Sequence, residues 1–298
     1  MSRVASCLVS IALGAGCTRP PPAHHETPAP DVALAPRVVA TDVAPPRDVS
    51  AERVCAPWSP LGRGVTVRRC TGAQGHAAVL LAGWNITTPS TEAWADALDA
   101  LRLRALGVST LYAVRGPEHV DFRGKELAVS ALLVDLDASL AAPSAWALVV
   151  AHSSGAHVAA TLFDRAFRSS PRPSLRGRAV YVNLDGDPGI ARDPERHLSP
   201  ESVAGLRHIV FVAVEDRARG LRGFSHAAMT DGHDAFPRAS ELYVYDASQA
   251  GCASDACAHL ALIHRRPYAR GNESYTHFDR APVNTAWLPL AERWLTPP

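Results

Sequence analysis

The sequence predicts an α/β fold, a mostly parallel sheet with helices on both of its faces, and three observations predict it. From His76 onward, short apolar runs alternate with longer amphipathic stretches, the pattern of strands that are buried on both sides and connected by helices. The runs are rich in Val, Leu and Ala and lack strict polar alternation, as expected where helices cover both faces. The chain has 298 residues and 47% apolar content, enough for one large core.

The elements follow in order. Val65 to Arg69 alternates and reads as an early antiparallel strand. Strands are then expected at Ala77–Ala82, Thr110–Val114, Ala147–Val150, Ala179–Leu184, Ile209–Val214 and Glu241–Tyr245. Helices are expected at Thr91–Ala105, Lys125–Ala141, Ser154–Ala166, Glu201–Leu206 and Asn284–Leu295. Arg217 to Ala235, with its glycines, Phe224 and Met229, reads as a long loop, either a lid over a site or an exposed connection.

The sharpest local signal lies where the apolar run Ala145 to Val150 stops at Ala151-His152-Ser153-Ser154-Gly155 and a small-residue helix begins. A serine at a tight strand-to-helix turn has a strained backbone and an exposed hydroxyl, and small residues two before and two after let strand and helix approach. The N–H of Ser154 then points where a tetrahedral oxyanion would form. Serine between small residues is common, and the flanking strand and helix patterns make this one a candidate nucleophile rather than an ordinary turn. With one or two short strands between Cys55 and Arg69, the turn follows strand five, as in the α/β-hydrolase fold.

A nucleophilic serine needs a histidine base and a carboxylate behind it, which in that fold follow in the order serine, acid, histidine. Asp185, Asp187 and Asp216 all sit at strand ends, and each could also be only a turn former. Among the histidines after them, His259, His264 and His277 are candidates. His152 and His157 flank the turn and read as packing residues, since the base must arrive from another loop.

These residues carry a resemblance. His152-Ser153-Ser154-Gly155-Ala156-His157 resembles the elbow of the pancreatic-lipase family of neutral lipases. Gly83-Trp84-Asn85 resembles the loop of that family whose aromatic residue donates an oxyanion-hole N–H. Asn183-Leu184-Asp185 resembles its Gly-Leu-Asp, and Cys257-Ala258-His259-Leu260 is similar to the segment around its histidine. The resemblance spans Ala77 to Leu260. It implies Ser153, Asp185 and His259 as catalytic residues, with Trp84 and Ser154 as backbone oxyanion donors. Asp216 and His277 remain the alternatives. The sequence departs from the family in having Ala151 for the first elbow glycine and in ending after the Asn284–Leu295 helix, without the β-sandwich that follows in that family. A lipase- or esterase-like serine hydrolase acting on a small-molecule or lipid ester is therefore expected. The same scaffold also serves thioesterases, amidases and peptidases, and a cell-surface binding protein that keeps the fold without the chemistry.

The remaining features bound this reading. Residues 1–16 carry Arg3, an apolar segment and small residues, and read as a signal peptide. Leu13-Gly14-Ala15-Gly16-Cys17 resembles a bacterial lipobox, with Gly14 where leucine is usual, and implies lipidation at Cys17. Residues 17–50 read as a Pro- and Ala-rich tether and 51–298 as the catalytic domain. The other even set, Cys55, Cys70, Cys252 and Cys257, fits two local disulfides, Cys55–Cys70 and Cys252–Cys257, in an oxidising compartment. Zinc is disfavoured because no Cys-x-x-Cys pair occurs. A net charge of +1 with interspersed arginines argues against nucleic acid. No cofactor and no obligate protein partner are implied, and membrane contact is expected through a lipid anchor at most.

Overall fold

The computed structural model describes residues 53–71, 75–84, 86–117, 123–169, 171–186, 198–264 and 283–295, with the backbone alone for 123–128. The chain divides after Pro46 into two units, and every described residue belongs to the second. The expected signal segment, the whole of the expected tether, Cys17, Asp187 and His277 lie outside the described residues.

The strands are β1 (Ser59–Gly62), β2 (Val65–Arg69), β3 (His76–Leu81), β4 (Val108–Val114), β5 (Ala147–His152), β6 (Ala179–Leu184), β7 (His208–Asp216), β8 (Leu221–Arg222) and β9 (Ser240–Asp246). They form one sheet in the order β1-β2-β4-β3-β5-β6-β7-β8, with β9 also pairing with β7. Neighbours from β4 through β7, and β7 with β9, run parallel, while β1, β2 and β8 pair antiparallel. This is the α/β-hydrolase fold. The Val65–Arg69 segment is antiparallel as expected, and the Ser153 turn follows the fifth strand.

The helices are α1 (Thr88–Leu98), α2 (Arg123–Ser139), α3 (Gly155–Asp164), α4 (Pro200–Gly205), α5 (His226–Ala235), α6 (Asp255–Leu260) and α7 (Leu288–Leu295). Successive strand side chains point to opposite faces, so each buried strand supplies two cores. Ala77, Val79 and Leu81 of β3 join Val149 of β5 and Leu132, Val158 and Met229 of the helices on one face. Ala78 and Leu80 join Val150, Trp94, Ala258 and Trp287 on the other. All six residues of β3, β5 and β6 are buried, which explains why these strands read as continuous apolar runs.

Helix boundaries differ from expectation for identifiable reasons. α1 starts at Thr88 because the Thr87 side chain accepts from the Ser90 N–H and Pro89 stands in the first turn. The last turns of the expected helix to Ala105 are instead π-helical, Asp99–Leu103. Asp99 is fully buried there and is held by Arg53 through both carboxylate oxygens, at 2.8 and 2.7 Å. α7 begins at Leu288 rather than Asn284, because the Asn284 carboxamide accepts from the Ala286 N–H and donates to Ala261 O, forming a turn. The loop expected over Arg217–Ala235 is largely not a loop: it contains β8 and then α5, whose Met229 is fully buried in the core under the sheet. Only Arg217–Gly220 and Gly223–Ser225 connect.

Candidate active site

The site is assembled at the carboxyl ends of β3, β5, β6 and β7. Ser153 follows β5 with φ 54°, and Asp185 follows β6 with φ 45°. Left-handed backbone costs an L-residue about 1–2 kcal/mol, which the surrounding core offsets, since each fully buried Val or Leu contributes about 1.5–3 kcal/mol. Hydrogen bonds over-determine both turns. Ser153 N–H donates to Leu184 O at 3.1 Å, and Asp185 N–H donates to Val212 O at 2.8 Å. The residue that carries the hydroxyl is thereby tied to the strand end that carries the carboxylate.

Close backbone approach makes the elbow possible. A Cβ on Gly155 would stand 2.8 Å from the Leu81 carbonyl carbon and 2.9 Å from Ala82 O, so the start of α3 packs directly on the end of β3. A Cβ on Gly83 would stand 2.8 Å from that of Ser153. The turn after β3, closed by the Ile86 N–H to Gly83 O, therefore brings Gly83 alongside the serine. Among the described residues, the N–H groups of Trp84 and Ser154 make no hydrogen bond.

His259 lies on α6 and is buried, as is Asp185. Its Nδ1 stands 2.6 Å from Asp185 Oδ2. An ionised carboxylate only accepts, so Nδ1–H donates and the neutral ring presents Nε2 as its acceptor. The second carboxylate oxygen accepts from the Ser225 N–H at 3.1 Å. A Cβ on Gly223 would fall 2.5 Å from Asp185 Oδ1, so a side chain there would displace the carboxylate. Fully buried Asn183 closes the turn beyond Asp185, donating to Gly186 O at 3.0 Å and accepting from the Gly186 N–H at 2.9 Å.

Two rings pack on the imidazole. His152, fully buried, lies 4.4 Å away between centroids, and its Nε2 stands 3.4 Å from His259 O. Burial, and then the neighbouring His259, hold the His152 pKa well below 6.5, so His152 stays neutral and acts as packing, as its place beside the elbow suggested. Phe224, exposed, lies 4.8 Å from the imidazole.

The alternative acid Asp216 is also buried but faces elsewhere. It accepts from Arg219 Nη1 at 2.6 Å and from the Arg219 N–H at 3.1 Å. His264, buried, bridges to Val283, and desolvation lowers its pKa to about 4. Both expected disulfides, Cys55–Cys70 and Cys252–Cys257, are bonded, the second ending two residues before His259. Phe224 was singled out in the sequence only as part of a loop that could cover a site, and Gly223 and Ser225 were missed because only the sheet brings that segment to Asp185. Gly83 carried the resemblance to an oxyanion loop without revealing its contact with Ser153. Among the described residues, no cluster of His, Cys, Asp and Glu could hold a metal ion, and no helix is long and apolar enough to cross a membrane.

No family model and no curated protein matches the sequence. Among solved structures, the chain is similar to esterase B from Lactobacillus rhamnosis, inhibited by a tributyrin phosphonate, at 10% identity over 67% of this chain and 77% of that one, with a TM-score of 0.46. It is similar to a sugar hydrolase from Lactococcus lactis at 13% identity over 80% and 96%, TM-score 0.44. It is similar also to brefeldin A esterase, described as a bacterial homologue of human hormone-sensitive lipase, at 16% identity over 70% and 71%, TM-score 0.44. Similarities this low carry no residue roles into this chain.

Proposed function

We propose that the protein is a serine hydrolase that cleaves carboxylic esters, with Ser153 as nucleophile, His259 as base and Asp185 as the acid behind it. The observation that carries this reading is the buried Asp185–His259 pair, joined at 2.6 Å, whose aspartate follows the strand end to which the Ser153 turn is hydrogen-bonded. The Ser153 oxygen attacks the ester carbonyl while His259 Nε2 takes its proton. The N–H groups of Trp84 and Ser154 stabilise the resulting oxyanion. Collapse expels the alcohol, which receives the proton from Nε2, and leaves an acyl-Ser153. Water, deprotonated by the same nitrogen, then releases the acid and restores the hydroxyl. Asp185 fixes the tautomer and stabilises the imidazolium.

The lipase-like motif resemblance supports Asp185 and His259 over Asp216 and His277. The apolar N-terminal segment, the lipobox-like Cys17 and the two disulfides support a secreted, envelope-anchored form acting on a small-molecule or lipid ester. Detergent-phase partitioning of the full chain that survives Cys17→Ser contradicts that anchoring.

Hydrolysis of p-nitrophenyl acetate tests the chemistry. Ser153→Ala, folded as judged by its melting, is expected to lose on the order of a thousandfold or more in kcat. A variant that keeps its activity removes Ser153 from the reaction.

A further inference from the structure

Of the large apolar side chains that stand exposed among the described residues, Phe224, at 61%, lies at the candidate site. Phe224 is held there by its neighbours. The Arg222 N–H donates to Asp255 Oδ1 at 2.9 Å, the Gly223 N–H to Val214 O at 2.9 Å, and the Ser225 N–H to Asp185 Oδ1 at 3.1 Å. The segment is thus fastened to α6, to β7 and to the site carboxylate. Its phenyl ring stays in water 4.8 Å from the imidazole centroid instead of joining the core. Exposed apolar surface at a fixed position beside reacting groups marks a binding surface for an apolar group.

The chemistry says which part of a substrate reaches it. With Nδ1 committed to Asp185, Nε2 gives the proton to the departing alcohol, so the alcohol oxygen must come within hydrogen-bond reach of Nε2. The substituent on that oxygen then passes beside the imidazole. Fully buried His152 covers the imidazole from within the protein, whereas Phe224 is the neighbour that faces solvent. We infer that Phe224 is the wall of an apolar leaving-group subsite, and that the protein favours esters whose alcohol is bulky and apolar. This inference rests on the ester-hydrolase reading.

Benzyl acetate and ethyl acetate share an acyl group and have leaving alcohols of similar acidity, so their kcat/KM ratio reports the alcohol side alone. Wild type is expected to favour benzyl acetate. Phe224→Ala is expected to lower the ratio about tenfold, through the KM of the benzyl ester, and Phe224→Leu, which keeps an apolar wall, by about threefold. A ratio within about twofold of wild type in Phe224→Ala overturns the inference, as does a loss in kcat shared equally by both esters, which would make Phe224 a support for His259. If wild-type protein hydrolyses neither ester and its Ser153 reacts with no fluorophosphonate, the ester-hydrolase reading itself falls and the subsite with it.

Discussion

Ser153 and Asp185 are non-glycine residues at φ 54° and 45°, and both are positioned by glycines on other segments. Gly83 lies against the serine Cβ, and Gly223 lies against the aspartate carboxylate. The position of the Asp185 carboxylate, the proposed acid, therefore depends on a residue with no chemistry of its own. Gly223→Ala is expected to lower kcat for p-nitrophenyl acetate about a hundredfold, because a Cβ there pushes the carboxylate off His259 Nδ1, and misplacement by about an ångström has that scale of cost. The measurement is steady-state kinetics on a variant whose melting shows it folded. Undiminished kcat means that the carboxylate position is not demanding.

At the scale of elements, α6 carries His259, the proposed base, on a single short helix. Ser254 caps it by accepting from the Cys257 N–H at 3.2 Å, and the Cys252–Cys257 bridge ties it to the preceding turn. A loop this short confers about 2 kcal/mol by chain entropy. Replacing both cysteines by serine is expected to lower ester-hydrolysis kcat severalfold while shifting the denaturation midpoint only modestly. A large loss of stability at unchanged kcat would assign the bridge to global folding instead. The elements differ in how legible they were. β3, β5, β6 and β7 are buried on both faces and so wrote continuous apolar runs into the sequence. The Ser153 elbow announced itself through Ala151 and Gly155, which a close strand–helix approach requires. β8 and α5 were hidden because α5 buries only Met229 and presents a polar, glycine-containing surface that reads as a loop. The choice of Asp185 over Asp216 came from a motif resemblance. The Gly223 and Ser225 contacts with Asp185 join segments distant in sequence, which no local pattern encodes.

Over the whole molecule, the fold shelters neutral imidazoles. Desolvation lowers His76, holds His152 well below 6.5, and brings His208 and His264 to about 4, with Arg293 adding to the effect at His208. In the unfolded chain each of these takes a proton near pH 6.5. Between that pH and about 4 the unfolded state binds more protons than the native one, so stability falls as the pH drops. Urea midpoints are expected to fall steadily from pH 7 to pH 5, and His208→Gln or His264→Gln to flatten the slope. A midpoint independent of pH over that window contradicts the burial of neutral imidazoles.

The central claim is that Ser153 is an activated nucleophile, and it can be read at the atom concerned. Folded protein treated with a fluorophosphonate is followed by intact mass and peptide mapping. The expected result is one phosphonyl group per chain, on the peptide containing Ser153, at a rate that falls with His259→Ala and Asp185→Asn but not with Asp216→Asn. Folded wild-type protein that takes up no probe, or takes it up at another residue, contradicts the account.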